Sequence, residues 1–351
     1  MKKFFTVAAS LILSAAMLTA CGSSAAPAAT TEAPETTAAA VTQAPETTEE
    51  TKSFHIAIVQ QLDHASLDEI RLAVEDELTK AAADKGFQVS YKEFNGQNDN
   101  TVLNQIGAQV VSDKYDAIIP IASLAAQCMV TAADGTNTPI IYAAVSDPAT
   151  AGLTDIPNVT GTSDALNTAF ILDMMLAAQP DVKTVGLLYS NSEANSQTPI
   201  AQAKEYLEQK GIAYIEKTGN STDEILTAAS SLVGRVEAVF TPTDNAVMAC
   251  EGAVAEILNQ AGIAHYTGAD SFVAAGAFTT SGVNYTELGT YTADMAVDIL
   301  LGGAVPEYHV MDGGIITVNT DTAEALGIDY SVFKTMANTV TEVTTVEYKY
   351  E

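Results

Sequence analysis

The chain has 351 residues, of which 47 % are hydrophobic and 17 % are charged, and its formal net charge is −29. Because a single core rarely grows beyond about 250 to 300 residues, this length predicts two lobes. Only 15 lysine and arginine residues are present, and they are scattered. The charge therefore argues against a nucleic-acid partner, since such binding draws its affinity from cationic side chains that neutralise phosphates.

The first 20 residues have the pattern of a signal peptide. Lys2 and Lys3 precede the apolar run FFTVAASLILSAAML, which is short for a membrane span and is followed by small residues. The run continues into LTAC at 18–21, which resembles the bacterial lipobox. We expect Cys21 to be lipidated and to become the new N-terminus; the alternative is an ordinary cleavage site with a chance cysteine.

Residues 21–52 form a segment of Ala, Thr, Pro, Glu and Ser in which the phrase APETT occurs twice. Such a composition buries too little apolar surface to fold, so we predict a disordered tether. Together with the lipid, it would hold a folded body on the extracytoplasmic face of a cell membrane. That face is either the surface of a single-membrane cell or the periplasmic side. A stalk without a binding site would share these features.

From residue 54 onward, short apolar runs alternate with longer helical patterns. FHIAIVQ, QVSYKEFN, DAIIPIA and PIIYAAV predict parallel strands joined by crossover helices, and the pattern restarts at VGLLYS. The predicted fold class is α/β, with two Rossmann-like lobes, parallel sheets and a hinge. We assign 53–161 plus 284–308 to the N-terminal lobe, 162–283 plus 309–340 to the C-terminal lobe, and 341–351 to a tail.

Motifs for catalysis, metals and cofactors are missing from the sequence. It contains no G-x-S-x-G, Walker or G-x-G-x-x-G motif and no H-E-x-x-H pair. We therefore expect that the protein is not an enzyme and that it binds no cofactor. The four histidines are too dispersed for a zinc site. Cys128 and Cys250 lie in helical patterns assigned to different lobes, which favours two buried free thiols over a disulfide.

Ligands of open parallel sheets bind beyond the carboxyl ends of the strands. The loops predicted there are polar: QQLDH, NGQND, SLAAQ and SDP in the first lobe, and SNSEANS, TPTDN and DSF in the second. Two such sheets that face each other would form a cleft lined by these loops.

These loops, in this order, resemble the substrate-binding proteins of ABC importers whose characterised members bind tryptophan and other aromatic amino acids. The matching stretches include DHASLDEIR, AVSDPATAGL, NVTGTSD, LLYSNSEANS, SLVGRVEAVFTPTDNAV and GVNYTELGTYTADMAVDIL, which extend over most of residues 54–335. SNSEANS departs from the family's common NPGEANS, which puts the shape of the pocket in doubt. The resemblance implies a type I periplasmic-binding-protein fold and a monomer that passes an amino acid (Trp, Tyr or Phe) to a permease with its ATPase subunit.

An amino acid needs donors for its carboxylate and an acceptor charge for its ammonium. We expect Ser123, Asn195 and Ser196, which lie at helix starts, to supply donors, although each could be only a cap. For the ammonium we favour Asp244, with Asp270 next and Glu193 third, because Asn245 is available to cap the helix that follows Asp244. The aromatic candidates are Tyr142, Tyr189, Phe272 and Tyr285. Gln60, Gln61 and His64 could add polar edges, although the position of His64 favours a helix start over a ligand contact. The predicted site comprises Gln61, Ser123, Ala144, Val145, Asp147, Tyr189, Glu193, Asn195, Ser196, Thr243, Asp244, Asn245 and Asp270.

Two alternatives stay open at this point. The same fold could bind a sugar or a nucleoside, although the absence of tryptophan argues against a sugar sandwich. The protein could also be a ligand sensor for a receptor kinase rather than part of a transporter.

Overall fold

The computed structural model of the chain describes residues 51–346. The predicted signal peptide, Cys21 and all but the last two residues of the predicted tether lie outside the described residues.

The first lobe is built from alternating strands and helices, as predicted. Its strands read as nearly continuous apolar runs because they are covered by helices on both faces, and β3 is buried along its whole length. The elements are β1 (Ser53–Gln60), α1 (Ala65–Lys85), β2 (Gln88–Asn95), α2 (Asn100–Asp113), β3 (Ala117–Ile121), α3 (Ser123–Ala132), β4 (Ile140–Tyr142) and β5 (Val159–Ser163).

The second lobe repeats the alternation. Its elements are α4 (Thr168–Ala178), β6 (Thr184–Tyr189), α5 (Ala194–Lys210), β7 (Ala213–Thr218), α6 (Thr222–Leu232), β8 (Ala238–Thr241), α7 (Asn245–Met248), α8 (Glu251–Gln260), β9 (Ala264–Thr267), α9 (Asp270–Ala274) and β10 (Thr279–Gly282). The chain then returns to the first lobe with α10 (Tyr285–Leu300) and β11 (His309–Val310), and re-enters the second with β12 (Ile315–Asn319), α11 (Thr320–Leu326), a 3-10 helix (Ser331–Thr335) and β13 (Val340–Val343).

The two sheets differ in strand direction. The first has the order β11-β5-β4-β3-β1-β2, and all its pairs are parallel. The second has the order β13-β12-β10-β9-β8-β6-β7, and its pair β10–β12 is antiparallel. A second all-parallel sheet was predicted. The exception arises because β10 ends where the chain leaves the lobe, whereas β12 begins where the chain returns to it.

The lobe boundaries predicted from the sequence need three adjustments. His309 and Val310 were assigned to the C-terminal lobe, but β11 pairs with β5 in the first sheet, which also extends to Ser163. The predicted tail from 341 contains most of β13, which pairs with β12 in the second sheet. Such short edge strands carry too few residues for their pairing to be read from periodicity.

Three segments connect the lobes, at 164–167, 283–284 and 311–314. Helix α10 packs against α1 in the first lobe, and Gly289 permits this close approach, because a Cβ atom there would lie 2.6 Å from the carbonyl oxygen of Ile70. One hydrophobic cluster includes residues of both lobes, such as Ile58 and Val247. The strand-end loops are thereby brought face to face.

Both cysteines within residues 51–346 are buried free thiols, as predicted. None of the helices in this range combines the length and the apolar character needed to cross a membrane.

Candidate ligand-binding site

Loops that follow the strands of both sheets enclose a cavity of about 20 Å³ between the lobes, which is room for about one water molecule. Small-molecule pockets usually have roughly 300 to 1,000 Å³, so the lobes have closed on each other here and a bound ligand would hold them further apart. Six of the predicted site residues line it: Ser123, Ala144, Asn195, Thr243, Asp244 and Asn245. The two lobes therefore contribute to one site, as the strand-end loops predicted.

Side-chain hydrogen bonds join the lobes around this cavity. Gln61 donates to Glu193 (3.0 Å), and His64 lies 3.0 Å from the side-chain oxygen of Asn245. Three further pairs are Ser66 with Ser271 (2.6 Å), Ser146 with Thr243 (3.1 Å) and Thr198 with Asp147 (2.6 Å). These contacts require both lobes to be in place, so the structure is a closed form.

Asp244 is fully buried at the wall of this cavity. It is also the N-cap of α7, where its Oδ1 accepts from the backbone N–H of Val247 at 3.0 Å. Its Oδ2 accepts from Ser190 N–H (2.7 Å) and from the Ser196 hydroxyl (2.6 Å). The prediction that Asn245 would cap this helix and free Asp244 was wrong. The N-cap side chain accepts from an N–H group two or three residues further along the chain, in the first turn of the helix, and Asp244, not Asn245, precedes that turn.

Asn245 instead connects Glu193 to His64. Its amide nitrogen donates to Glu193 Oε2 at 2.9 Å, and its oxygen faces His64 Nε2. Burial and the nearby Asp244 carboxylate raise the pKa of Glu193 to about 8, while burial raises the pKa of Asp244. Two acids therefore share a buried region, and a cation that enters it would lower both pKa values.

This arrangement predicts that closure of the ligand-free protein depends on pH. In a closed form Glu193 has a pKa of about 8 against an ordinary 4.5, so between these values the closed form binds more protons than an open form that exposes Glu193. Closure should therefore be favoured as the pH falls and lost as it rises through about 8. Small-angle scattering should show a smaller radius of gyration at pH 6.5 than at pH 8.5.

The Glu193→Gln variant should show a smaller change above pH 6.5, because the buried Asp164 and Asp244, whose pKa values burial also raises, are then the remaining cavity acids that bind protons on closure. Below pH 6.5, Asp270 acts in the same direction, because burial and the nearby Glu69 raise its pKa to about 6. If the radius of gyration decreases equally in the unmodified protein and in Glu193→Gln between pH 8.5 and 6.5, Glu193 is not the cause of the pH dependence.

Asp164 is a cavity residue that the sequence reasoning did not single out. It is buried at the first connection between the lobes and lines the cavity. It accepts hydrogen bonds from Ser146 (2.8 Å) and from the Tyr285 hydroxyl (3.1 Å), and burial raises its pKa. The signal was available in the stretch NVTGTSD, because Asp164 directly follows β5 at a carboxyl strand end.

Asp270 does not line this cavity. It lies in a neighbouring one together with Glu69 and Ser271. Of the two acids that the sequence left in competition, only Asp244 lines the interlobe cavity.

The other predicted residues divide into two groups. Ser123 lines the cavity, and its side chain makes no cap bond because Ala122 occupies the cap position with φ of 76°. Ala144 also lines the cavity, with φ of 55°. The remainder lie outside the lining and make structural contacts: Gln61 with Glu193, Val145 in the core, Asp147 with Thr150 and Thr198, Tyr189 with Glu216, and Ser196 with Asp244.

The aromatic candidates also divide into residues that line the cavity and residues that do not. Phe272 and Tyr285 line the cavity beside Leu67 and Met248, whereas Tyr142 does not. The cavity therefore has an apolar part as well as a polar part.

The cavity wall is rich in hydrogen-bond acceptors. It contains the carboxyl groups of Asp164 and Asp244 and no lysine or arginine. Two buried acceptor atoms of its lining, His64 Nδ1 and Asn195 Oδ1, have no partner. Within residues 51–346 no group of three or more His, Cys, Asp and Glu side chains is arranged to hold a metal ion. The wall is thus suited to a ligand that brings positive charge and N–H donors.

Comparison with known proteins agrees with this geometry. A family model described as ABC transporter substrate binding protein matches residues 55–339. The Tyrosine-binding protein of Clostridioides difficile (strain R20291) is 30% identical over 336 residues, which are 93% of this chain and 92% of that protein.

Solved structures show which arrangement of the lobes the chain adopts. An ABC domain from Streptococcus pneumonia in complex with L-Trp is 29% identical, covers 82% of this chain and 100% of that one, and gives a TM-score of 0.76. The ligand-free, open structure of a substrate binding protein with adhesive properties from Clostridium difficile is 32% identical, with coverages of 84% and 100%, yet gives only 0.63. The lower score at higher identity fits the closed arrangement of this structure. The chain belongs to the family of ABC transporter substrate binding proteins.

Proposed function

We propose that this protein captures a free α-amino acid, with Trp, Tyr and Phe as the candidates, and delivers it to the permease of an ABC importer. The observation that carries the proposal is the cavity wall, which presents two buried carboxyl groups and two unpartnered acceptors without any cationic side chain. Burying such groups is unfavourable unless the ligand supplies donors and positive charge. An ammonium group supplies both.

Asp164 is the better partner for that ammonium. Asp244 already accepts from Ser190, Ser196 and Val247 within its own lobe. Each oxygen of Asp164 accepts one side-chain hydroxyl, from Ser146 and Tyr285, which leaves room for a charged donor. Asp244 then adds its negative charge to the site while it holds α5 and α7 together.

The ligand carboxylate is assigned to the start of α3. Ser123 faces the cavity there, its hydroxyl is not used as a cap, and the positive end of a ten-residue helix points the same way. This assignment keeps the carboxylate with donors and the ammonium with acceptors.

The ligand side chain is assigned to the apolar part of the cavity. Leu67, Met248 and Phe272 are each at most 3 % exposed, and Tyr285 adds a second aromatic ring. The apolar chemistry of this lining suits an aromatic side chain once the lobes part to admit it, and it agrees with the names of the two relatives, one tyrosine-binding and the other solved with L-Trp.

Delivery and anchoring follow from the family and from the N-terminal sequence. We infer that Cys21 carries the lipid, that the monomeric body works on the extracytoplasmic face, and that it docks to a permease driven by an ATPase subunit. Mass spectrometry of the purified membrane protein should find an acylated N-terminal Cys21; an unmodified residue there would exclude the anchor.

Thermal melting tests the ligand class directly. The chain from Thr51 onward should be melted against the individual amino acids, a set of sugars and a set of nucleosides. A true ligand at 100 times its dissociation constant adds about 2.7 kcal/mol to the free energy of unfolding, which appears as a raised melting temperature. A shift with a sugar or a nucleoside, and with no amino acid, would overturn the proposal.

A further inference from the structure

His64 presents a buried acceptor that the protein itself does not use. The side chain is only 3 % exposed and lines the cavity, and its Nδ1 atom has no hydrogen-bond partner. An unpaired polar atom in a buried site is unfavourable, so this nitrogen is suited to a group that arrives with the ligand.

The hydrogen-bond chain behind His64 determines which ring nitrogen carries the proton. The backbone N–H of Leu124 donates to Gln61 Oε1 at 3.1 Å, which orients the Gln61 amide so that its nitrogen faces Glu193. The carboxylate of Glu193 likewise orients the nitrogen of Asn245 toward itself, at 2.9 Å. The oxygen of Asn245 therefore faces His64 Nε2 at 3.0 Å, and Nε2 must carry the hydrogen.

His64 is neutral in this position, because burial lowers its pKa. A neutral imidazole protonated on Nε2 has a bare lone pair on Nδ1. An ammonium in the cavity keeps Glu193 ionised, because it offsets the charge of Asp244. In the ligand-bound protein, Glu193 therefore still accepts from Asn245, and the donors and acceptors from Glu193 to His64 keep the same order. His64 Nδ1 is then an acceptor only.

The hydrogen bonds around the ammonium position form a series that does not include His64. Asn195 donates to Thr243 O (2.5 Å), Thr243 contacts Ser146, and Ser146 donates to Asp164. That series of contacts defines the polar side of the cavity.

The surroundings of His64 are different. Ser66 and Leu67 follow it in the sequence, and Ser66 contacts Ser271, which in turn contacts Met248. His64 is thus connected to Leu67 and Met248 of the apolar part through its own segment and Ser271, while its Nε2 faces Asn245.

We propose that His64 determines ligand specificity, with its Nδ1 accepting a hydrogen bond from an N–H or O–H group on the side chain of an aromatic amino acid. The inference rests on the proposed function, since it assumes an amino acid in this cavity. It favours tyrosine or tryptophan over phenylalanine, which has no side-chain donor. Gln61, Glu193 and Asn245 are positioning residues, because they act only through the ring of His64.

Calorimetric titration of the full chain with Tyr, Trp and Phe tests the preference. In the unmodified protein the better of Tyr and Trp should bind at least about tenfold more tightly than Phe, as expected when a buried acceptor is left unpaired. His64→Leu should reduce that ratio to about one, because the acceptor is gone. The two donor-bearing ligands also distinguish an indole N–H from a phenol O–H.

Thr198→Val is the matched control. It removes another hydrogen bond between the lobes, to Asp147, and lies outside the cavity lining, so it should change all affinities together and keep the ratio. An unchanged ratio in His64→Leu, or equal binding of Phe by the unmodified protein, would overturn the inference. Binding of none of the amino acids would overturn the proposed function as well, so the two failures are distinguishable.

Nitrogen NMR of the ligand-saturated protein gives a second readout that does not depend on the variant folding. The His64 resonances, assigned by correlation with the backbone signals of the same residue in the unmodified protein, should show the Nε2–H tautomer with Nδ1 as a hydrogen-bond acceptor. The Nδ1–H tautomer, or a protonated ring at pH 7, would contradict the proposal.

Discussion

Replacing Asp164 with asparagine is expected to weaken amino-acid binding by about 3 to 5 kcal/mol, because the variant leaves a buried ammonium without its charge partner. The ligand-free protein should be at least as stable as before. Asp164 is buried beside hydroxyl groups only, and burial raises its pKa, so its charge is unfavourable when no cation is present. A substitution that lowers the affinity for the ligand without lowering the free energy of unfolding identifies a charge that serves ligand binding.

Calorimetry for affinity and thermal unfolding for stability check this expectation. Asp270→Asn is the matched control, since it removes another acid whose pKa burial raises but which lines a different cavity, and its affinity should stay within about threefold of the original, less than 1 kcal/mol. Wild-type affinity in Asp164→Asn would show that the ammonium lies elsewhere. A large loss of affinity in Asp270→Asn alone would instead make that acid the partner.

Replacing Asp244 with alanine is expected to lower the free energy of unfolding by about 3 to 5 kcal/mol. The change leaves three buried donors unpaired: Ser190 N–H, the Ser196 hydroxyl and Val247 N–H. Each unpaired buried group costs about 1 to 3 kcal/mol, with partial relaxation between neighbours. Affinity should fall too, because α5 and α7 lose the group that joins their first turns.

Asp99 provides the comparison for Asp244. It is also an aspartate N-cap, accepting from Thr101 and Val102 at the start of α2, but it is exposed. Asp99→Ala should cost only about 1 kcal/mol, the usual value for a cap. Urea unfolding of the two variants measures the difference. If Asp244→Ala costs no more than Asp99→Ala, the buried network contributes no more than a surface cap.

The fold was largely predictable because its signals are local. Apolar runs such as DAIIPIA and the helix that ends at Gly86, with φ of 74°, reflect burial on two sides and a left-handed C-cap. The edge strands β11 and β13 were not predictable. They pair through backbone atoms over two to four residues, which leaves almost no periodic pattern.

The site was only partly predictable. The strand-end rule led to Ser123, Asn195, Thr243, Asp244 and Asn245, all of which line the cavity. It could not tell which of two adjacent residues caps a helix, because that depends on the φ and ψ angles at the helix start. It also passed over Asp164, whose neighbours Ser146 and Tyr285 lie 18 and 121 residues away along the chain.

Composition and residue spacing were enough to predict the alternation of strands and helices, the polar loops at the strand ends and the excess of acids. Contacts between distant segments were needed to separate Asp164, which we propose as the ligand's partner, from Asp244, which joins α5 and α7. Hydrogen-bond partners from distant segments occupy the oxygens of Asp244 and leave room at Asp164. An acid in a sequence becomes a binding group only where folding buries it without using up its lone pairs.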